Sequence, residues 1–218
     1  MILYSYWRSS ASYRVRMALN LKGLDHEIRP VHLLRDGGEQ YCGHYAALNP
    51  QQLVPTLVDG GTVITQSLAI LEYLEERHPE PALLPGASAE RARVRMIAQA
   101  IACEIHPLNN LRVLKYLTGK AGLDEHAKLG WYRHWTETGL AAVERLLDNP
   151  QTGEFCHGSE PGLADCCLLP QVYNARRFEC RMDGLPEIQR VCTALEQLPA
   201  VQRAAPDRQP DGQTNPAP

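Results

Sequence analysis

Short apolar runs alternate with amphipathic stretches over the first part of the chain. Residues 2–6 are mostly apolar and predict a strand, and residues 12–21 carry apolar side chains at helical spacing. Residues 27–32 predict a second strand. A strand, a helix and a strand in this order favour a right-handed crossover in which the two strands are parallel. The chain is therefore predicted to begin with a βαβ unit.

A hairpin and a further helix follow in the pattern. Residues 40–48 predict a short helix, and two strand segments, residues 56–58 and 63–65, flank an Asp-Gly-Gly turn. Residues 68–77 carry apolar side chains on one helical face, and Ser67 is in position to act as the N-cap of that helix. The order βαβ followed by αββα predicts a thioredoxin-like arrangement.

The rest of the chain shows helical periodicity only. A long helix begins near Ser88, which can cap it, and Pro107 should kink it. Further helices are predicted at residues 125–147, 163–178, 186–195 and 198–204. The pattern predicts a thioredoxin-like α/β domain at residues 1–79, a proline-rich linker at 80–87, an all-helical domain at 88–205 and a flexible tail at 206–218.

Composition narrows the possible classes of function. The 218 residues carry a formal net charge of −3 and are 44% hydrophobic, which is ordinary for a soluble globular protein. The sequence has no basic run typical of nucleic-acid binding and no apolar run of membrane-spanning length. We expect a cytoplasmic protein without a signal peptide, with no nucleic-acid partner and no membrane association. The seven cysteines form no CxxC pair and the eight histidines lack metal-helix spacing, so we expect reduced, mostly buried thiols and no metal.

Three serines, Ser9, Ser10 and Ser12, lie in the turn between the first strand and the first helix. A serine at a helix N-terminus can cap free amide N–H groups, and the same end of a helix attracts an anion. Redox proteins of thioredoxin type carry a cysteine in this turn, so its absence here excludes disulfide exchange at this turn. The serines are either caps only or hydrogen-bond donors to a thiolate that a ligand supplies.

Two further features precede and follow the hairpin. In the segment Leu53-Val54-Pro55-Thr56 the proline enters a strand, which suggests a cis bond that aims the backbone of Val54 at a ligand; the alternative is an ordinary turn proline. Gln66 and Ser67 open the next helix, where the serine hydroxyl and amide suit a carboxylate; the alternative is an ordinary N-cap. The three features in this order indicate a ligand site more strongly than any one of them.

These same segments resemble one family. They are the turn with Ser9, Ser10, Ser12, Arg14, Val15 and Arg16, the segment from Asn49-Pro50 to Leu57, Gln66-Ser67 with Ala69-Ile70, and Ala164-Asp165. The chain is similar to the zeta-class glutathione transferases, and in particular to the zeta-type maleylacetoacetate and maleylpyruvate isomerases, up to Gln209-Pro210-Asp211. The resemblance implies the glutathione transferase fold, glutathione as cofactor, a small dicarboxylate as substrate and a homodimer.

The resemblance also implies roles for individual residues. Ser9 would hydrogen-bond the glutathione sulfur and keep it as a thiolate. Val54 would pair with the cysteinyl backbone, and Gln66 with Ser67 would hold the γ-glutamyl carboxylate and amine. The other expected glutathione contacts are Ser10 and Ala11 at the sulfur pocket, and Asn110.

Three positions depart from the family pattern. Ala11 stands where many zeta members have a cysteine, which weakens any role for a protein thiol. Gln51-Gln52 replaces the usual Lys-Gln and resembles the bacterial maleylpyruvate isomerase branch. Gly162 replaces a capping serine or threonine, while Asp165 keeps its place three residues further on.

The implied substrates carry carboxylates on either side of a cis double bond, so a pocket for them needs fixed cations. Arginine suits this task because it binds a carboxylate bidentately. The candidates are Arg8, Arg112 and Arg176, then Arg177, with His106 and Asn109 near Arg112 on the kinked helix. Each arginine could instead form a surface or interdomain ion pair, and His106 could merely satisfy the kink.

The implied reaction is a cis–trans isomerisation in aromatic catabolism. A thiolate adds to the activated alkene, the new single bond rotates, and the thiolate is expelled. Ser9 and the helix end can lower a thiol pKa by about 2 units, roughly 2.7 kcal/mol. Arg8 and Arg176 are the further catalytic candidates. The alternatives are a general zeta-class glutathione transferase acting on small electrophiles such as α-haloacids, and a non-catalytic interaction module.

Overall fold

The chain folds into two compact units. The computed structural model describes residues 1–213 and divides into Met1–Leu83 with the chain from Glu196 onward, and Leu84–Leu195. The boundary after Leu83 lies inside the segment predicted as a linker. Residues 196–213 pack with the first unit, whereas the sequence pattern groups residues up to 205 with the helical domain.

The first unit is built around a four-stranded sheet. Its strands are β1 (Ile2–Ser5), β2 (Glu27–Pro30), β3 (Thr56–Asp59) and β4 (Thr62–Thr65). The order across the sheet is β2-β1-β3-β4, with β1 parallel to β2 and antiparallel to β3, and with β3 and β4 paired as a hairpin. The predicted thioredoxin-like arrangement is confirmed.

Three helices accompany this sheet: α1 (Ser10–Leu21), α2 (Gly43–Leu48) and α3 (Ser67–Arg77). Helices α1 and α3 pack against each other. The fully buried core side chains of the unit include Leu3, Val15, Leu19, Leu57, Ile70 and Leu74. Since burial of one such side chain contributes about 1.5–3 kcal/mol, this core fixes the ends of α1 and α3 relative to the strands.

The start of two helices differs from the prediction by one residue. Ser67 and Ser88 are the first helical residues and not the N-caps, because Gln66 and Ala87 occupy the cap positions. The Ser67 hydroxyl instead accepts a hydrogen bond from Arg14 Nη1 at 3.1 Å. A contact with a residue 53 positions away is not visible in the local pattern that suggested a cap.

The second unit is helical. Its helices are α4 (Ser88–Gln99), α5 (Leu111–Gly119), α6 (Glu125–Leu147), α7 (Leu163–Arg177) and α8 (Pro186–Gln197). The last two residues of α8 lie beyond the unit boundary. Pro170 is buried inside α7, which runs through it without interruption, as the sequence pattern predicts.

The prediction of one long helix kinked at Pro107 is wrong in its details. Helix α4 ends at Gln99, and a π-helix (Ala100–Ile105) and a 3-10 helix (His106–Asn109) follow it. Helix α5 begins only after them, and the sequence pattern does not predict it as a separate helix. Pro107 lies in the first turn of the 3-10 helix, where its missing N–H costs nothing. Single π-helical turns often occur at functional sites, and the stretch between α4 and α5 carries three of the candidate site residues, His106, Asn109 and Asn110.

A glycine allows the irregular stretch to pack closely on α6. A Cβ atom at Gly139 would lie 2.3 Å from Ile105 Cγ1, so any larger residue there would force the Ile105 side chain to move. The Trp131 side chain of α6 donates from Nε1 to the carbonyl of Leu108 at 2.8 Å. These contacts fix the backbone that carries His106.

Residues 206–213 do not form the flexible tail that their composition predicts. Helix α9 (Pro199–Ala204) is followed by a 3-10 helix (Pro206–Arg208) and by α10 (Pro210–Gln213), with Gln209 and Asp211 buried. Composition indicates how much apolar surface a segment can bury, but it does not predict specific polar contacts. Such contacts hold this segment in place. The rest of the predicted tail, residues 214–218, lies outside the described residues.

All seven cysteines are free. Cys42 and Cys103 are exposed, and the other five are buried, which confirms the prediction of mostly buried thiols. Burial raises the pKa of the Cys156 thiol well above its usual value and that of Cys180 to about 11. These two thiols are therefore protonated and poorly nucleophilic at neutral pH.

Among residues 1–213, no helix combines the length and the apolar character needed to cross a membrane. Over the same residues, no three His, Cys, Asp or Glu side chains are grouped so that they could hold a metal ion.

Candidate active site

Ser9 caps α1 and keeps a hydrogen to donate. Its backbone is extended, with φ −69° and ψ 117°, and its hydroxyl oxygen accepts a hydrogen bond from Ser12 N at 3.2 Å. A hydroxyl has one donor hydrogen and two acceptor lone pairs, so capping does not use the donor. The two interpretations of Ser9, a cap and a donor to a thiolate, are therefore compatible. The first turn of α1 contains no acidic side chain, which leaves the positive end of the helix dipole unopposed.

Ser10 and Ala11 continue the first turn of α1 directly after Ser9, and both are buried. Ser12 is also buried, and its Oγ lies 3.5 Å from the backbone nitrogen of Tyr6, which donates to it. This hydrogen bond ties the helix start to the end of β1. The position of Ser10 and Ala11 is compatible with the predicted lining of a sulfur pocket, which stays a prediction.

The peptide bond between Val54 and Pro55 is cis, as the sequence predicts. Val54 is buried in a cluster with Tyr6 and Trp7, the two residues that lead into the serine turn. The segment before β3 and the start of α1 therefore lie side by side within the first unit. The pairing of Val54 with a cysteinyl backbone stays a prediction.

Two side chains without a predicted role, Tyr45 and Asn49, fix the segment before the cis-proline. Tyr45 Oη donates to the carbonyl of Leu53 at 2.6 Å, and Asn49 Nδ2 donates to the same carbonyl at 2.7 Å. Both side chains also reach Thr56 Oγ1, at 3.0 and 3.3 Å. Burial raises the pKa of Tyr45, so its hydroxyl remains a donor at neutral pH.

The start of α3 is connected to α1 through a buried arginine. Gln66 lies at φ 70°, a conformation that is uncommon for residues other than glycine and is often found at ligand sites. Its Nε2 donates to Gln51 Oε1 at 2.6 Å. Ser67 is buried, and Arg14 Nη1 donates to its Oγ. A guanidinium beside a helix N-terminus makes this position attractive to a carboxylate.

Arg14 and Arg16, which have no predicted role of their own, are each only 1% exposed. Two arginines at this spacing point to nearly opposite faces of a helix. In a short helix whose other residues are mostly apolar, at least one of them has to be buried, and a buried arginine needs specific partners. That signal was available in the sequence.

Arg8 is half-buried in the turn before Ser9. Its Cζ lies 4.5 Å from the centre of the Trp7 ring, a cation–π contact, and its Nη2 lies 3.5 Å from Tyr6 Oη. A guanidinium has five N–H donors, so these contacts leave it able to bind a carboxylate. The structure therefore places the Arg8 cation one residue from Ser9, the predicted hydrogen-bond donor to the sulfur. The role of Arg8 in substrate binding stays a prediction.

In the second unit, the irregular stretch between α4 and α5 brings three candidates together. Asn110 caps α5 by accepting from the backbone nitrogen of Arg112 at 3.1 Å, and its Nδ2 lies 3.4 Å from His106 Nε2. Asn109 is buried and donates from Nδ2 to Thr136 Oγ1 of α6 at 3.3 Å. These contacts anchor the stretch, while the glutathione contact of Asn110 and the substrate roles of His106 and Asn109 stay predictions.

The remaining arginines of the candidate set are exposed. Arg112 lies in the first turn of α5, and Arg176 and Arg177 lie in the last turn of α7. The Cζ of Arg177 lies 4.7 Å from the centre of the Phe178 ring. Exposure allows Arg112 and Arg176 to bind a substrate carboxylate, and this role too stays a prediction.

Asp165 holds two backbone segments at the start of α7. Its Oδ1 accepts from Cys156 N at 2.9 Å and its Oδ2 from Gly162 N at 2.8 Å, and the residue is 1% exposed. The second bond is one half of a capping box, and Gly162 has no side chain to supply the other half. Burial raises the pKa of the Asp165 carboxyl, and the two N–H donors offset part of that rise.

These features together define the class of glutathione transferases. They are a thioredoxin-like sheet, a serine at the head of α1, a cis-proline before β3, a Gln-Ser pair at α3 and a second, helical unit. A model of the family described as "Glutathione S-transferase, N-terminal domain" matches residues 3–82.

Relatives and solved structures similar to this chain identify a narrower branch of that class. A probable maleylacetoacetate isomerase of Vibrio cholerae is 51% identical over 211 residues, which are 97% of this chain and 98% of that protein. The holo structure of a maleylpyruvate isomerase, described as a bacterial zeta-class glutathione transferase, has a TM-score of 0.93 at 48% identity and covers 97% of this chain and 99% of its own. A maleylacetoacetate isomerase of Methylobacterium extorquens AM1 with bound malonate and glutathione has a TM-score of 0.94 at 40% identity, with 100% of both chains covered. This chain belongs to the zeta-class glutathione transferase family, in the branch of the maleylacetoacetate and maleylpyruvate isomerases.

Proposed function

We propose that this protein is a glutathione-dependent isomerase that converts maleylacetoacetate or maleylpyruvate to the trans, fumaryl isomer. The observation that carries the proposal is Ser9 at the head of α1, with its donor hydrogen unused by capping and no acidic side chain in the first helical turn. Relatives at 48–51% identity carry both isomerase names, and a further relative binds glutathione and malonate, a small dicarboxylate.

The first unit offers groups that fit each part of glutathione. Ser9 faces the sulfur, the backbone of Val54 pairs with the cysteinyl unit, and Gln66 with Ser67 takes the γ-glutamyl end. The buried guanidinium of Arg14, which donates to Ser67 Oγ, suits the negative charge of that end. When bound, glutathione supplies the nucleophilic sulfur that turns the cis double bond into a bond free to rotate.

The protein side chains contribute charge and orientation. Ser9 donates a hydrogen bond to the sulfur and, with the helix end, favours the thiolate by about 2 pKa units. Arg8 and Arg176 bind the substrate carboxylates and stabilise the negative charge that develops on the conjugated carbonyl. The remaining substrate contacts that we propose are Arg112, His106 and Asn109.

The test of this function is an assay of the purified protein with each substrate, with and without glutathione, followed by ultraviolet absorbance. We expect isomerisation of at least one of the two substrates, and only when glutathione is present. Isomerisation of neither substrate, or isomerisation without glutathione, would contradict the proposal.

The double variant Arg8→Ala, Arg176→Ala should separate an isomerase from a general transferase. A partly or fully exposed ion pair contributes about 1 kcal/mol, so the loss of both should lower kcat/KM for isomerisation by about 30-fold. Conjugation of an uncharged electrophile should stay within about twofold, because it needs no carboxylate contact. If both reactions fall equally, the two arginines do not bind substrate; Arg181→Ala, an exposed arginine paired with Glu137, is the matched control.

The variant Ser67→Ala should weaken glutathione binding. It removes a hydroxyl that accepts from Arg14, while the N–H groups at the start of α3 remain, so we expect KM for glutathione to rise about tenfold with kcat unchanged. Ser88→Ala changes a serine at the same position of another helix, where it is exposed, and should have no effect. Steady-state kinetics at varied glutathione concentration measures both, and a fall in kcat at unchanged KM would exclude this role for Ser67.

We also propose that the protein acts in the cytoplasm as a homodimer, as the family resemblance implies. Light scattering of the purified protein should give twice the mass of one 24.3 kDa chain. A mass of one chain in active preparations would exclude the dimer.

A further inference from the structure

The residues that lead into Ser9 form a tight turn. Ser9 N donates to the carbonyl of Tyr6 at 3.0 Å, so Trp7 and Arg8 are the two central residues of a β-turn. That hydrogen bond does not use the N–H of Trp7. Trp7 is only 4% exposed, and a buried N–H has to find an acceptor elsewhere.

The acceptor comes from the other end of the chain. Asp211 Oδ2 accepts from Trp7 N at 3.0 Å, over a separation of 204 residues. Asp211 lies in α10, within the C-terminal segment of residues 206–213, and is 8% exposed. The acceptor is a carboxylate, which makes stronger hydrogen bonds to N–H groups than a neutral oxygen does.

A second contact connects the backbone carbonyl of Trp7 to the end of α9, directly before the C-terminal segment. Arg16 Nη2 donates to the carbonyl of Trp7 at 3.0 Å, and Arg16 Nε donates to the carbonyl of Ala204 at 2.9 Å. The third donor, Nη1, reaches Ser5 Oγ at 3.1 Å. The turn is therefore held on both sides by groups connected to the C-terminal end of the chain.

The Trp7 ring is also confined. A Cβ atom at Gly212 would lie 3.3 Å from Trp7 Cε3 and 2.4 Å from the carbonyl oxygen of Pro206, so only glycine allows this close approach. The same ring carries the guanidinium of Arg8 at 4.5 Å. The C-terminal segment thus contacts the side chain against which Arg8 is placed.

We propose that the C-terminal segment positions the catalytic turn, with Asp211 as a positioning residue that acts through Trp7 on Arg8 and Ser9. This inference rests on the proposed function, because it concerns the same serine and arginine. Without the carboxylate, the buried N–H of Trp7 has to turn toward water, and the turn that carries Arg8 and Ser9 moves with it. A hydrogen bond from Ser9 to a sulfur weakens steeply when its direction changes.

The test compares Asp211→Ala with the wild type and with Asp207→Ala. Asp207 is an exposed aspartate in the same segment, paired with the neighbouring Arg208, and serves as the matched control. Titration of the ultraviolet thiolate absorbance of bound glutathione gives the thiol pKa in the binary complex, and steady-state kinetics gives kcat and KM. We expect Asp211→Ala to raise this pKa by about one unit and to lower kcat about tenfold. Asp207→Ala should match the wild type.

Each outcome bears on the proposal. If Asp211→Ala folds and keeps the wild-type thiol pKa and kcat, the segment is only structural and the inference is wrong. If Asp211→Ala does not fold, Asp211→Asn, which keeps the shape but replaces the carboxylate by a neutral acceptor, should shift the pKa in the same direction by a smaller amount. An unchanged pKa in folded Asp211→Asn overturns the inference. A wild-type protein that leaves the glutathione pKa unchanged overturns the proposed function as well, so the two failures are distinguishable.

Discussion

Ser9→Ala should lower kcat for isomerisation about 100-fold at neutral pH. Alanine removes the donor to the sulfur, and a hydrogen bond to a charged acceptor contributes about 1.5–3 kcal/mol. The thiol pKa of bound glutathione should rise by up to about 2 units, or roughly 2.7 kcal/mol, and the activity should recover at high pH as the thiolate forms without help. Thiolate absorbance and a pH–rate profile measure the two effects.

Ser9 also caps α1, so the loss of a cap has to be separated from the loss of the donor. Ser9→Thr keeps the hydroxyl and should retain activity within a few-fold. Asp124→Ala removes the acceptor that caps α6 by binding Ala127 N at 2.7 Å, and should cost about 1 kcal/mol of stability without any change in thiol pKa. If Ser9→Ala behaves like Asp124→Ala, Ser9 is only a cap and the proposed mechanism is wrong.

The fold of the first unit could be predicted from the sequence because its elements are short and turn residues mark where they begin and end. The hairpin of β3 and β4 follows from an Asp-Gly-Gly turn between strand segments, and a proline that enters a strand suggests the cis peptide bond at Pro55 without excluding an ordinary turn proline. Each signal lies within a few residues of the feature that it predicts. The same holds for the serine turn, whose capping role is local.

The polar contacts that fix the site could not be predicted in this way. Arg14 reaches Ser67 over 53 residues, and Asp211 reaches Trp7 over 204 residues. No pattern of apolar spacing encodes such pairs, since it reports only which face of an element is buried. The positive φ of Gln66 is also not predictable from the sequence pattern, because the surrounding structure and not the residue type selects it.

The sequence pattern does not predict the helix types between α4 and α5, for a different reason. Its apolar residues continue the helical spacing of α4 through Ile101 and Ile105, so the pattern predicts one helix. The observed π-helix and 3-10 helix pack on α6, and the π-helix approaches it closely at Gly139. Only tertiary packing decides between these helix types.

Asp165→Ala should be among the most destabilising single changes in the second unit. It removes the acceptor of two N–H groups, those of Cys156 and Gly162, at a site that is 1% exposed. Each donor left without a partner costs about 1–3 kcal/mol, so we expect a loss of about 3 kcal/mol in the free energy of unfolding. Glu144→Ala is the matched control, because this half-buried glutamate also accepts from two backbone nitrogens, those of Glu187 and Ile188 at 2.9 Å. Denaturant unfolding should show a smaller loss for Glu144→Ala, and equal losses would mean that burial is not what makes Asp165 costly to remove.

The pH dependence of this effect has a definite sign. Burial raises the pKa of Asp165, so the folded chain binds this proton more tightly than the unfolded chain does. The contribution of the group to stability is then greatest below the usual aspartate pKa and declines as pH rises through the folded pKa. Asp165→Asn cannot ionise, so the difference in unfolding free energy between wild type and Asp165→Asn should decrease over that window and be constant above it. A difference that increases with pH would show that the N–H donors of Cys156 and Gly162 outweigh burial and hold Asp165 as a carboxylate.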